Sequence, residues 1–275
     1  MKDPALFNGG AVPDLTRHRG LNYGDGVFRT CLIYDSQVID ISDHCDIANK
    51  DGARLGLAAV PVATIEREAA SLAAGQPRTV LKLTLMRAGV GRGYRGREAG
   101  TDRLLCRYPI PAYSPACWTE GVTAFRSDLR LATQPALAGI KHLNRLEQVL
   151  ASRAWVSGAD EALLADDAGR PVCGTRSNLF WISGGVLHTP NLTRCGVAGL
   201  MRRKVLALAA KLGIAAQVRD ARWEEFEGAD EAFLTNSLVG IWPLARLEAR
   251  RWGAPGPVTR RLFERLAHPR WVEAR

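Results

Sequence analysis

"AGIKHLNRLEQVL", residues 138–150, sets the reading of the chain. Leu137, Ala138, Gly139 and Ile140 are small or apolar. Leu143, Leu146, Val149 and Leu150 then recur at the spacing of a buried helical stripe. Lys141 stands between the two, an ammonium group at the edge of a segment that reads as core. Desolvation disfavours the charged form of such a lysine, and a neutral amine can attack a carbonyl. On this segment alone, a lysine that lays its stem on apolar surface and keeps its head in water is the simpler reading.

The rest of the chain bounds what such a lysine serves. The 275 residues are 47% hydrophobic and 24% charged, as in ordinary soluble domains, with room for two modest domains. No run approaches a membrane span, and Met1–Pro4 lacks a leader's apolar core, so a cytoplasmic protein without membrane contact is expected. Six scattered cysteines without a C-x-x-C pair argue against a metal site and for reduced thiols. The net charge of +9 is dispersed among acids, which reads as a solvated surface that draws small anions and not as a nucleic-acid patch.

Upstream, "VFRTCLIYDSQVIDI" (27–41) reads as two strands about a turn at Asp35-Ser36. Helices follow at 42–57, capped by Ser42 or Asp43, and at 63–75, with strands at 79–89 and 102–110. "YPIPAYSPACW" (108–118), with three prolines, is the linker candidate. The spacing thus predicts an α+β domain over 1–110, a linker at 111–118 and a second domain over 119–275. In that second part, strands are expected at 161–166 and 178–189 and a helix at 201–213. Gly-Ala-Asp-Glu-Ala occurs at 158–162 and 228–232, each time before an apolar run, and reads as one local solution used twice, a turn feeding a strand.

"CGVAGLMRRKVL" (195–206) is a glycine-punctuated loop entering a helix, whose free N–H groups suit a phosphate. "FLTNSLVGIWP" (233–243) is a strand ending in the donors Thr235, Asn236 and Ser237. A lysine, a glycine loop before a helix and a polar strand end together suggest an aldehyde cofactor that carries phosphate, pyridoxal 5′-phosphate.

"NYGDGVFRT" (22–30), "GRGY" (91–94), "AGIKHLNRLEQVL", "ADEALLADDAG" (159–169), "SNLFW" (177–181) and "TPNLTRCGVAGLMR" (189–202) together resemble the 4-amino-4-deoxychorismate lyases. These are fold-type IV pyridoxal-phosphate enzymes, related to branched-chain and D-amino-acid aminotransferases. The resemblance implies a two-domain α+β architecture, a small N-terminal α/β sandwich and a larger C-terminal pseudo-barrel, with the cofactor between them and a homodimeric assembly. It implies that Lys141 forms the Schiff base and that Cys173, Asn178, Gly199, Leu200, Met201, Thr235, Asn236 and Ser237 surround the cofactor. Thr30, Arg87, Arg92, Tyr94 and Asn144 are then expected about a small dicarboxylate substrate, arginine matching carboxylate with its planar fork. The implied reaction releases 4-aminobenzoate, a folate precursor, and pyruvate.

Two positions depart from the family pattern. Ile47 stands where an arginine grips the phosphate, and Cys173 where a glutamate pairs with the pyridine nitrogen. Either Lys50 or Arg176 supplies the missing charge, or the chain is a relative with weak or lost cofactor binding. An aminotransferase of the same fold is the remaining reading.

Overall fold

In a computed structural model, residues 5–89, 92–96 and 100–274 are described. The chain divides into two compact units. The first runs to Ala112 and includes Ile140–Asn144; the second comprises Tyr113–Gly139 and the chain from Arg145 onward. The division falls inside the proline-rich stretch. Its second half is not a tether, however. Helix α4 (Ala116–Thr119) starts there, and Trp118 is buried with its indole N–H donating to Val239 O at 2.8 Å. The Lys141 segment, placed by the sequence spacing in the second domain, is counted with the first.

The first unit contains β1 (Ala5–Phe7), α1 (Arg19–Tyr23), β2 (Gly26–Tyr34), β3 (Gln37–Val38), α2 (Ile41–Arg54), α3 (Val62–Ala73), β4 (Arg78–Arg87) and β5 (Thr101–Tyr108). Its sheet has the order β1-β5-β4-β2-β3. Asp35 and Ser36 both take positive φ, as a tight two-residue hairpin requires. Alternation along β2 sends Val27, Cys31 and Ile33 into a core with Cys45, Ala48, Ile65 and Leu72 of α2 and α3. The expected cap at Ser42 or Asp43 is displaced: Asp40, in the left-handed region, precedes the helix and makes no side-chain cap.

The second unit continues with β6 (Val122–Leu131), α5 (Leu146–Arg153), β7 (Glu161–Asp166), β8 (Pro171–Gly174), β9 (Asn178–Ser183), β10 (Val186–Thr189), α6 (Leu200–Lys211), β11 (Ala216–Val218), α7 (Trp223–Glu227), β12 (Glu231–Asn236), β13 (Gly240–Leu247), β14 (Arg250–Arg251), α8 (Pro257–Leu266) and α9 (Pro269–Ala274). The sheet runs β11-β10-β9-β12-β13-β6-β7-β8, and β8 pairs back onto β9. Six strands, β9-β12-β13-β6-β7-β8, therefore close into a barrel. Phe180, Phe233, Trp181 and Trp242 are fully buried on its two faces in the core of the unit, with the first two rings stacked 4.9 Å apart.

The repeated Gly-Ala-Asp-Glu-Ala does feed a strand both times. Asp160 accepts Thr123 N–H at 2.9 Å, and Asp230 accepts Gly184 N–H at 2.9 Å. Each following glutamate is buried and saturated. Glu161 takes hydrogen bonds from Thr175 and Ser177, and Glu231 takes the Val258 and Thr259 N–H groups at 2.9 and 2.8 Å, the start of α8.

The apolar stripe on α5 contradicts its expectation. Leu146 is 74% exposed and Val149 and Leu150 are 48% exposed; Ala151 is the buried residue of that helix. α5 lies against β6 by its small face and turns the long side chains outward.

Candidate functional site

In the first unit, residues 141–143 lie beside the start of β2 as a short antiparallel strand. Phe28 N–H donates to Lys141 O at 2.9 Å, Val27 bridges His142, and Leu143 N–H donates to Gly26 O at 3.0 Å. Gly26 has to be small between its two neighbours: a Cβ there would sit 2.4 Å from Leu85 O on β4 and 3.0 Å from Leu143 Cδ1. Lys141 is half-buried, with Nζ 4.5 Å from the Phe28 ring centroid. Lys82 Nζ approaches the same ring at 4.9 Å, and Thr30 pairs in register with Lys82. Phe28 and Thr30 thus share a face with two amines. The backbone N–H of Lys141 donates to Asp51 Oδ2 at 3.2 Å. Burial pushes the Asp51 carboxyl up; that hydrogen bond and the charges of Arg29, Arg54 and Lys141 oppose the rise.

In the second unit, strand register gathers the expected residues. Cys173 pairs with Asn178 across β8 and β9, and Asn178 pairs with Thr235 across β9 and β12. Side chains at paired positions share a face. Asn178 also ties in the loop before α6. Its Nδ2 donates to Val197 O at 2.7 Å and its Oδ1 accepts Gly199 N–H at 3.1 Å. Gly199 is the residue before α6, without a side-chain cap and without acidic residues in the first turn, so the helix presents bare N–H groups near Leu200 and Met201. Gly199 also has to be small, since a Cβ there would lie 2.3 Å from Asn178 Oδ1.

Thr235 is 1% exposed, and its Oγ1 has no hydrogen-bond partner among the described residues. An orphan hydroxyl in register with Asn178, close to an uncapped helix start, fits an anion such as phosphate. Asn236 serves its own turn, accepting Leu238 and Val239 N–H at 2.9 and 3.1 Å, while Ser237 O accepts from His268 Nε2. Cys173 lies in an apolar cluster with Leu164, Val172, Leu192 and Cys195. Burial first, then the neighbouring Cys195, holds its thiol far above the usual range, so it offers a neutral group where the pattern expects a carboxylate.

Within the second unit, Gly139 bridges Val197, and Ala198 N–H donates to Gly139 O at 2.9 Å, in the loop that opens α6.

Several expected substrate contacts have other work. Arg87 donates from Nε to Asp25 Oδ2 at 3.0 Å, from Nη1 to Gly56 O at 3.1 Å and from Nη2 to Leu55 O at 2.5 Å. Those bonds tie Arg87 to Asp25 and to the turn at Leu55-Gly56. Asn144 donates to Gly24 O at 3.2 Å and packs on this positive-φ glycine. Arg92 and Tyr94 are exposed, and Gly91 of the "GRGY" stretch lies outside the described residues. Of the two residues expected to replace the charge lost at Ile47, Lys50 is exposed. The Arg176 guanidinium is committed to Asp160 O and to the faces of Tyr113, Trp155 and Trp242 at 5.5 to 5.8 Å.

Sequence reasoning missed Arg19, which joins Asp25 to the carbonyls of Gly93 and Tyr94, and it missed the pair Arg29 and Asp51. An arginine and an aspartate at core positions of β2 and α2 were the available signal. Among the described residues no cluster suits a metal ion, and no helix is long and apolar enough to cross a membrane.

The family model for amino-transferase class IV matches residues 26–247. An aminodeoxychorismate lyase of Vibrio harveyi is 33% identical over 89% of this chain and 92% of its own length. A putative branched-chain-amino-acid aminotransferase of Methanocaldococcus jannaschii is 31% identical over 90% and 88%. The crystal structure of 4-amino-4-deoxychorismate lyase from Pseudomonas aeruginosa superposes with a TM-score of 0.90 at 38% identity, covering 95% of this chain and 97% of that one. With a β-rich two-unit fold, a half-buried lysine beside β2 and an uncapped helix behind a glycine loop, the chain belongs to the amino-transferase class IV family.

Proposed function

We propose that the protein is a pyridoxal-phosphate-dependent lyase that converts 4-amino-4-deoxychorismate to 4-aminobenzoate and pyruvate. The observation that carries this reading is Lys141. Its backbone is fixed on both sides, by Asp51 and Phe28, while the residue stays half-buried with its amine over an aromatic ring. Similarity to lyases over nearly the whole chain supports the reaction class.

The residues present fit the cofactor at its phosphate and its aldehyde. The N–H groups at the start of α6 and the Thr235 hydroxyl would hold the phosphate, and the Lys141 amine would hold the aldehyde carbon. When bound, the group supplies a conjugated sink for an electron pair. The protein does the rest. The Lys141 amine would take the proton from the substrate carbon that bears nitrogen and return one to the departing enolpyruvyl oxygen. The Phe28 face below the amine excludes water from it. Thr30, on the same face, offers a hydroxyl to the substrate, and Arg92 remains the carboxylate partner in this proposal.

Cys173 decides which chemistry such a site favours. A protonated thiol does not keep the pyridine nitrogen charged, which weakens the sink. Lyase chemistry tolerates that, because the product ring becomes aromatic as pyruvate leaves; amino transfer has no such driving force. The exposed Leu146, Val149 and Leu150 on α5 support the expected homodimer, which sedimentation would test.

The experiment is product analysis. Purified protein with pyridoxal 5′-phosphate and aminodeoxychorismate is expected to yield 4-aminobenzoate and pyruvate in equal amounts, with a cofactor absorbance band that Lys141→Ala abolishes. Amino transfer to a 2-oxo acid without aminobenzoate would overturn the lyase assignment.

A further inference from the structure

Gly174-Thr175-Arg176-Ser177 leads from β8 into β9, and the residues on either side, Cys173 and Asn178, are a register pair at the closure of the barrel. The backbone ladder there is short; besides that pair, Gly174 N–H donates to Ser177 O at 2.9 Å. Side chains supply the rest. Glu161 on β7, 0% exposed, accepts the Thr175 N–H at 3.1 Å, the Thr175 hydroxyl, and the Ser177 hydroxyl at 2.9 Å. A buried carboxylate is costly without hydrogen bonds and a counter-charge. Arg176, between the two donor residues, brings that charge: its Nε lies 3.8 Å from Glu161 Oε2, and its Nη2 donates to Asp160 O. Tyr113, Trp155 and Trp242 frame the guanidinium, with ring centroids 5.5 to 5.8 Å away, inside cation–π range. The Arg176 side chain is 42% exposed, and an exposed ion pair alone contributes little. Here a fully buried partner and three aromatic faces hold the planar head in one place. Gly174 completes the fit, because a Cβ there would lie 2.2 Å from Ser177 Oγ and 2.7 Å from Glu161 Cδ.

The turn ends on Asn178, whose side chain holds Val197 O and the Gly199 N–H in the loop that opens α6. Contact thus runs from the three rings through Arg176 and the turn to Gly199, all within the second unit. We propose that Arg176 is a positioning residue for the phosphate end of the cofactor site: by pinning the turn against Glu161 it fixes Asn178, and through Asn178 the α6 loop. It touches no ligand itself. The inference rests on the reading above that the chain binds pyridoxal 5′-phosphate. It gives the charge at 176 a different duty from the phosphate contact expected from the sequence.

The test is a double-mutant cycle between Arg176 and Asn178. It is read by equilibrium dialysis with pyridoxal 5′-phosphate and, in the ligand-free protein, by hydrogen exchange at the Gly199 amide. Arg176→Met is expected to weaken the cofactor about fivefold, the net contribution of one hydrogen bond, and to speed exchange at Gly199 by a similar factor. In the Asn178→Ala background the same substitution should change both readouts by less than about twofold, since the route to the loop is already cut. Arg176→Lys keeps a cation beside Glu161 and the rings, and should return affinity to within about twofold of wild type. A residue that only stabilises the fold would lower Tm in both backgrounds and leave affinity and the Gly199 amide alone. Unchanged affinity and exchange in Arg176→Met, or losses as large without Asn178 as with it, would overturn the role of Arg176. Should Arg176→Met not fold, Trp155→Leu removes one of the three faces and is expected to move both readouts the same way by about twofold; no movement there would overturn it as well. A wild-type protein that does not retain pyridoxal 5′-phosphate would instead overturn the cofactor reading, while the Gly199 amide still decides whether Arg176 governs the loop.

Discussion

Asn178 is the residue on which the phosphate end of the site turns, and two substitutions there separate its duties. Its side chain makes two hydrogen bonds, to Val197 O at 2.7 Å and from Gly199 N–H at 3.1 Å, while it is buried on β9. Asn178→Ala removes both. At about 1 kcal/mol each, with a small cavity added, the loss is about 2 to 3 kcal/mol, a fall in Tm of roughly 5 to 10 °C for a chain of this size. The α6 loop loses its tie, so every ligand that uses the loop should weaken by a similar, modest factor. Asn178→Asp has nearly the same shape and keeps the bond from Gly199, but it turns an oxygen toward Val197 O and brings a negative charge to the helix start. Unit charges 4 Å apart at an effective dielectric near 20 interact by about 4 kcal/mol, and by about 2 kcal/mol at twice that distance. Against a phosphate this predicts a further loss of roughly 30-fold or more for pyridoxal 5′-phosphate that pyridoxal does not share. Titrations at low and high salt are the assay, because screening should return part of the loss in the Asp variant and none in the Ala variant. If both variants weaken the two ligands alike at every salt concentration, the phosphate does not sit at the start of α6 and the reasoning fails.

Three further outcomes are expected. Glu231→Ala strips the buried carboxylate from the Val258 and Thr259 N–H groups and should cost about 3 kcal/mol in denaturant unfolding, with Glu231→Gln intermediate; a neutral result would refute its capping of α8. Burial and Arg219 lower the His188 pKa from 6.5, so the unfolded chain binds the proton first and stability is lost as pH falls below 6.5; His188→Phe, which keeps the stack on Trp181, should flatten Tm against pH in that window. Arg87→Met should lower Tm by several degrees through loss of its ties to Asp25, Leu55 and Gly56; a raised KM at unchanged Tm would return Arg87 to the substrate.

The parts of this structure that could be read from residues alone are those ruled by local chemistry. The Asp35-Ser36 hairpin, the strand at 161–166 and the α6 boundary followed from turn residues and alternation. The two copies of Gly-Ala-Asp-Glu-Ala behave alike because an aspartate before a strand and a buried glutamate within it solve the same local accounting of N–H groups. Non-local burial was illegible. Nothing in the spacing of Leu146, Val149 and Leu150 distinguishes a helix face turned to the core from one turned outward, since both need the same period. At the candidate site, Lys141 and the glycine loop before α6 were visible from motif and spacing, and Asn178 from the family resemblance. Arg87 and Asn144 have the right chemistry for a substrate, yet their donors are taken by carbonyls and a carboxylate brought near by distant turns. Arg29 and Asp51 escaped notice because each alone looks like an error in an apolar pattern, and only the packing of α2 on β2 makes them a pair.

The closed barrel carries its own consequence. The ring is completed where β8 turns into β9, by the register pair Cys173 with Asn178 and by the Gly174 N–H bond to Ser177 O at 2.9 Å, so its seam runs through the very residues proposed to receive the cofactor. Closed by so short a ladder, the ring is weakest there, and amides of β8 should trade hydrogen for deuterium sooner than those of β12 and β13. A molecule lodged against Asn178 would act as a clasp across that rung, slowing exchange around the whole circle.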